Sequence, residues 1–116
     1  MKTNAAVSTI NKEELVTKIK ADPSVQIVNV LSPEHWSEGL IKNSKKIPLQ
    51  ELNRRLNELD KSKEVVTYCA GYQCHASRQA AEQLQEKGFK VHAYEGGIQE
   101  WKEARLPLEK KRVSIY

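Results

Sequence analysis

The chain has only two cysteines, Cys69 and Cys74, among its 116 residues. That is too few for the disulfide framework of a small secreted domain, and both fall in one short segment. Local thiol chemistry is expected instead of a structural staple. No stretch approaches the roughly 20 apolar residues that a membrane span requires, and Met1 to Ser8 lack the apolar core and cleavage pattern of a secretory leader. These absences give the expectation of a soluble, cytoplasmic protein with no membrane partner. The basic residues do not cluster or interleave with aromatics; short groups at Lys45-Lys46 and Lys110-Lys111-Arg112 stand among scattered acids. The formal charge of +4 therefore reads as a solvated, mildly cationic surface able to attract small anions, and a nucleic-acid partner is not expected. Metal-ligand spacing such as C-x-x-C is also missing, and His35, His75 and His92 are dispersed, so neither a metal site nor a cofactor is expected.

What is present fits one compact domain over residues 1–116, with 39% hydrophobic and 29% charged residues and a basic tail, about 109–116, that is expected to be loosely held. There is no internal repeat. Apolar runs alternate with helical patterns, which argues for a parallel sheet. Asn11 and Glu14 have capping-box spacing before Leu15, Val16 and Ile19, which fall on one helical face, and Pro23 should end that helix. "VQIVNVL" at 25–31 and "EVVTYC" at 64–69 read as strands buried on both sides. A short helix is expected over 33–39, then an extended piece through Ile47. From Pro48 the stripe of Leu49, Leu52, Leu56 and Leu59 predicts an amphipathic helix, with Arg54 and Arg55 off the stripe. Ala80, Ala81 and Leu84 mark the inner face of the next helix, closed by Gly88. "FKVHAY" is the next strand, and "GGIQEWKEA" the last helix.

This reading places Cys69 at the carboxyl end of a central strand, with a loop over 70–76 feeding a helix. Open α/β sheets bind ligands at that place. Backbone N–H groups of such a loop, with the start of the helix, form a cradle for an anion, and the same cradle stabilises a thiolate. A free thiol titrates near 8.5, and bringing it to about 6.5 takes about 2.7 kcal/mol. A helix terminus supplies about 0.3–1 kcal/mol, so several loop N–H bonds must supply the rest; His75 or Arg78 adds to them if either turns inward. A cysteine ending an apolar strand is otherwise a small buried hydrophobe. A strand end opening into a polar loop favours an exposed, electropositive thiol instead.

These segments together resemble the single-domain rhodanese family of sulfurtransferases. The resemblance is carried by "VQIVNVLSPEHWSEGLI", "IPLQEL", "VVTYC" opening the loop, and "GFKVHAYEGGIQEWKEARLPLE" with Glu95-Gly96-Gly97, Trp101 and Pro107. It implies a rhodanese-like α/β fold, a five-stranded parallel sheet with helices on both faces, and Cys69 as the nucleophile. It also implies double displacement. The thiolate takes sulfane sulfur from a small donor anion such as thiosulfate, or from a persulfide, and a thiol or cyanide acceptor removes it. A sulfur-relay protein is a further implied partner. Ala70, Gly71, Tyr72, Gln73, Cys74, His75, Ser77 and Arg78 are the implied binding residues. Cys74 belongs to a longer "C-x4-C-x2-S" loop, and it is the candidate resolving thiol that would attack a persulfide or sulfenate on Cys69 and close a disulfide. It is alternatively a filler of a pocket under the loop.

The chain departs from the family pattern at Asn29 and Leu31, where an Asp and an Arg usually form an ion pair that supports the loop. The loop is longer than the common form, which favours a larger donor, and its arginine is matched only by Arg78 at the far end. A second expectation is therefore a rhodanese-like binding or redox-sensing module with weak turnover using Cys69 and Cys74. Phosphatase or arsenate reductase chemistry ranks third, because His75 stands where those loops place an arginine.

Overall fold

The computed structural model describes residues 7–22, 24–31, 39–41, 43–71, 75–106 and 108–109. The chain runs β1 (Thr9–Ile10), α1 (Lys12–Ala21), β2 (Gln26–Asn29), β3 (Leu40–Ile41), β4 (Lys45–Lys46), two 3-10 segments (Leu49–Arg54 and Leu56–Glu58), β5 (Val65–Tyr68), α2 (Ala76–Glu86), β6 (Val91–Tyr94), α3 (Gly97–Glu103) and β7 (Leu108–Glu109). Five strands form a parallel sheet in the order β1-β6-β5-β2-β4, and β3 pairs with β7 in a separate antiparallel ribbon. The expected α/β architecture is present, with helices on both faces.

Local signals explain most elements. Asn11 Oδ1 accepts the Glu14 N–H at 2.7 Å and Glu14 Oε1 accepts the Asn11 N–H at 2.8 Å, a complete capping box that satisfies two orphan donors of α1. Helix α1 then stops at Ala21, before Pro23. At the end of α2, Gly88 takes a φ of +92°, and the Phe89 N–H reaches back to the Leu84 carbonyl at 3.0 Å, a glycine-dependent cap.

Strand β5 is buried throughout, so its alternation divides the core in two. Val65 and Cys69 lie with Ala80, Ala81 and Leu84 of α2 and with Leu52 and Leu59 of the 3-10 region. Val66 and Tyr68 face the other way, with Leu15 of α1 and with Ile98 and Trp101 of α3. Period-two burial of this kind is what a parallel strand covered on both faces requires.

The helix expected after Pro48 is instead two 3-10 segments broken at Arg55, whose φ is −117°. Leu49 and Leu52 are three apart, so within the first segment the pair eclipses at three residues per turn. The Arg55 guanidinium closes the break by pairing with Glu51 at 2.9 Å and with Glu58 at 2.7 Å. The helix expected at 33–39 lies outside the described residues, except for Gly39.

From β2 the chain proceeds to β4 on one side, whereas from β5 it proceeds to β6 on the other. The carboxyl ends of β2 and β5 thus mark the topological switch point, where a crevice opens. A buried polar tie crosses it. Asn29 Nδ2 and the Ile41 N–H donate to the Tyr68 hydroxyl at 3.3 and 3.0 Å, Ser44 Oγ lies 2.8 Å from the same oxygen, and Asn29 Oδ1 accepts the Leu31 N–H at 2.8 Å. Both Asn29 and Tyr68 are fully buried, so these bonds are the groups' substitute for water. At the opposite end of the sheet the Glu64 carboxylate accepts from Lys18 Nζ at 3.1 Å and lies 3.3 Å from His92 Nε2, joining α1, β5 and β6.

Two outcomes follow from these ties. Tyr68→Phe leaves the Asn29 amide and the Ile41 N–H short of an acceptor, and is expected to cost about 1–3 kcal/mol in urea unfolding; an unchanged midpoint would contradict the tie. The Lys18 hydrogen bond, with help from His92 and against burial, holds Glu64 below its ordinary value of 4.5. A carboxyl depressed in the folded state adds stability above the unfolded pKa, and that stability disappears as pH falls through the folded value. Glu64→Gln should therefore flatten the acid limb of the stability profile below pH 4.5; an unaltered limb would exclude the linkage.

Candidate active site

Cys69 follows the central strand β5 directly, and its backbone is fixed by helix α3. The Ile98 N–H donates to the Cys69 carbonyl and the Gln99 N–H to the Ala70 carbonyl, each at 2.9 Å. Helix starts leave N–H groups without intrahelical partners, and α3 uses two of them to hold the start of the loop. Gly97 makes this approach possible. Its φ is +63°, and a Cβ there would lie 2.4 Å from the Cys69 carbonyl oxygen and 2.7 Å from the Gly71 nitrogen, so no larger residue fits.

Carbonyl and N–H point in opposite directions across a trans peptide. With the Cys69 and Ala70 carbonyls turned to α3, the N–H groups of Ala70 and Gly71 turn away from it. Neither has a hydrogen-bond partner among the described residues. Ala70 is exposed and Gly71 buried, so these two donors pass from the surface into the fold.

The far side of the loop is the start of α2. His75 occupies the N-cap position, exposed and without a side-chain cap. Ser77, in the first turn, is 1% exposed, and its hydroxyl has no hydrogen-bond partner among the described residues. The Thr67 hydroxyl donates to the Ser77 carbonyl at 2.7 Å. This bond ties the first turn of α2 to the residue two before Cys69, on the same face of β5. Arg78 is half-exposed and forms an ion pair with Glu95, the residue preceding the glycine turn; its guanidinium bridges α2 to that turn.

Cys69 itself is 1% exposed and disulfide-bonded, and the sequence holds one other cysteine, Cys74. The exposed thiol expected from sequence is replaced by a buried sulfur. The cause is the strand alternation, which turns the side chain under α2. Tyr72, Gln73 and Cys74 lie outside the described residues. Thr67 and Tyr68 are supporting residues that sequence reading passes over, whereas Gly97 reads as part of the Glu95-Gly96-Gly97 turn.

A family model for the rhodanese-like domain matches residues 11–104. A "Sulfurtransferase" from Allochromatium vinosum is 28% identical over 88% of this chain and 94% of its own length. An HTH-type transcriptional regulator from Mycobacterium tuberculosis is 32% identical over 86% of the chain, which spans only 44% of that protein. Among solved structures, a rhodanese-related protein from Thermoplasma volcanium superposes with a TM-score of 0.78 and 32% identity, covering 88% of this chain and 97% of that one. With the family model spanning most of the chain and the five-stranded parallel sheet in place, the protein belongs to the rhodanese-like domain family.

Proposed function

We propose that the domain is a sulfurtransferase that carries sulfane sulfur as a persulfide on Cys69. Its membership of the rhodanese-like family and its likeness to a sulfurtransferase support sulfur transfer in general. The observation that carries the residue assignment is the orientation of the first two loop peptides, whose carbonyls bond to α3 and whose N–H groups have no partner among the described residues. Donors held in advance by the fold stabilise a developing anion without reorganisation. In the reduced protein the Cys69 thiolate attacks the sulfane sulfur of thiosulfate or of a small persulfide and expels sulfite or a thiolate. A thiol of a small molecule or of a sulfur-relay protein, or cyanide, then attacks the outer sulfur and regenerates the Cys69 thiolate. Ser77 is on hand as a hydroxyl donor to the bound sulfur. Arg78, neutralised by Glu95, contributes loop order more than anion charge. We place the activity in the cytoplasm.

The disulfide at Cys69 favours a second reading, an oxidant-sensing module without turnover. Intact mass separates the two. Reduced protein given thiosulfate or glutathione persulfide should gain the mass of one sulfur, and cyanide should then release thiocyanate; a protein that never gains sulfur would favour the sensor. Cys69→Ser should lower thiocyanate production by about a thousandfold or more, as loss of a nucleophile does. Gly97→Ala should push the loop peptides off the helix start, and a displacement of about 1 Å is worth about a hundredfold in rate. Circular dichroism on the same sample identifies loss by unfolding, and full activity in folded Gly97→Ala would contradict the role given to the α3 anchor.

A further inference from the structure

We propose a second reactive site at the end of the sheet away from Cys69: Ser8 is a nucleophile served by His92 and Glu64, and it takes acyl groups from activated carboxylic esters. The site does not depend on the sulfur chemistry. Its three residues meet because β1, β6 and β5 are neighbours in the parallel sheet. Thr9 pairs in register with Ala93, and the Ala93 N–H donates to the Ser8 carbonyl at 2.8 Å, so Ser8 stands beside His92. Ser8 Oγ lies 2.7 Å from His92 Nδ1, and His92 Nε2 lies 3.3 Å from Glu64 Oε2. A hydroxyl within hydrogen-bond reach of a base that a third group orients is the arrangement of nucleophilic catalysis, recognised by geometry and not by order along the chain.

Glu64 fixes the direction of each hydrogen bond. Lys18 Nζ donates to both of its carboxylate oxygens, at 3.1 and 3.3 Å, and holds the carboxyl ionised at neutral pH, so Glu64 can only accept. Nε2 of His92 therefore carries the ring proton, and in the neutral imidazole Nδ1 is the bare nitrogen. The Ser8 hydroxyl donates to it, which is the protonation state a general base requires. Ser8 is exposed while the His92 side chain is 20% exposed, so the nucleophile meets solvent and its base is held by the fold. In the first step Oγ bonds to the acyl carbon, the bond from that carbon to the leaving oxygen breaks, and the hydroxyl proton passes through Nδ1 to the leaving group. In the second, water attacks the same carbon, the bond to Oγ breaks, and a water proton returns to Oγ through Nδ1, leaving a carboxylic acid. No electrons are exchanged with a further reactant. General-base assistance is worth about 100- to 10,000-fold. An open surface supplies little binding energy, so the substrates that fit are esters with small acyl groups and leaving groups that depart readily.

The test uses two probes: a fluorophosphonate, which labels activated serines with loss of fluoride, and p-nitrophenyl acetate, whose phenolate release is read by absorbance. Wild type is expected to take the phosphonyl label at Ser8, located by peptide mass spectrometry, and Ser8→Ala to lose steady-state phenolate release. His92→Gln offers Ser8 an oxygen acceptor but no base, and should slow labelling of Ser8 about 100-fold or more; circular dichroism on the same samples checks the fold. Glu64 acts through His92 as a positioning residue. Its signature is the imidazole ¹⁵N spectrum, which should show the proton on Nε2 in wild type and lose that preference in Glu64→Gln. An unlabelled Ser8 in wild type, equal labelling rates in folded His92→Gln, or phenolate release unchanged by Ser8→Ala would each overturn the proposal. A wild-type His92 carrying its proton on Nδ1 would overturn it as well, without recourse to any variant.

Discussion

Two hydrogen bonds from the start of a short helix decide which way the first two peptides of the cysteine loop face. The Ile98 and Gln99 N–H groups need acceptors, the Cys69 and Ala70 carbonyls provide them at 2.9 Å, and the N–H edges of the same peptides are thereby turned away from α3. The contact demands a residue with no side chain and a positive φ at Gly97. The proposed chemistry at Cys69 depends on this arrangement, because a thiolate or persulfide anion buried under α2 would have no water to solvate it and would need fixed dipoles instead.

The anchor works because the frame beneath it is held at several points. Strand β5 is buried on both faces, Thr67 bonds to the start of α2, and the hydroxyl of Tyr68, adjacent to Cys69 in sequence, is bonded to Asn29, Ile41 and Ser44. Asn29 therefore has a job of its own at the switch point. Where relatives of this pattern are expected to use a carboxylate in an ion pair, this chain uses a neutral amide that both donates to Tyr68 and accepts from Leu31. A neutral pair avoids the desolvation cost of a buried charge and leaves the crevice without an extra negative field near the thiol.

Much of the frame was legible in the sequence because its causes are local. The Asn11–Glu14 box, the apolar runs of β2, β5 and β6, the Ala80-Ala81-Leu84 face and the Gly88 cap each follow from residues a few positions apart. The parts that were not legible have distant causes. Strands β1, β3 and β7 are two residues long, too short for a period to show, and exist through their pairing. The leucines after Pro48 suit an α-helix and a pair of 3-10 segments almost equally, and packing chose the latter. Tyr68 reads as one more apolar strand residue until Ile41 and Ser44 are brought to its hydroxyl. Arg78 reads as a free anion-binding group until Glu95 meets it. Position along the chain placed Cys69 at the strand end, but only the alternation of β5 shows that its sulfur points into the core.

The central claim is that main-chain amides, preset by α3, stabilise an anionic sulfur at Cys69. The most direct measurement is the pH dependence of iodoacetamide alkylation of Cys69 in reduced protein carrying Cys74→Ser, which removes the second thiol from the readout. The expected result is an inflection well below the ordinary thiol value of about 8.5, moving upward when Gly97 is replaced by Ala. An inflection at or above the ordinary value, indifferent to Gly97, would contradict the account.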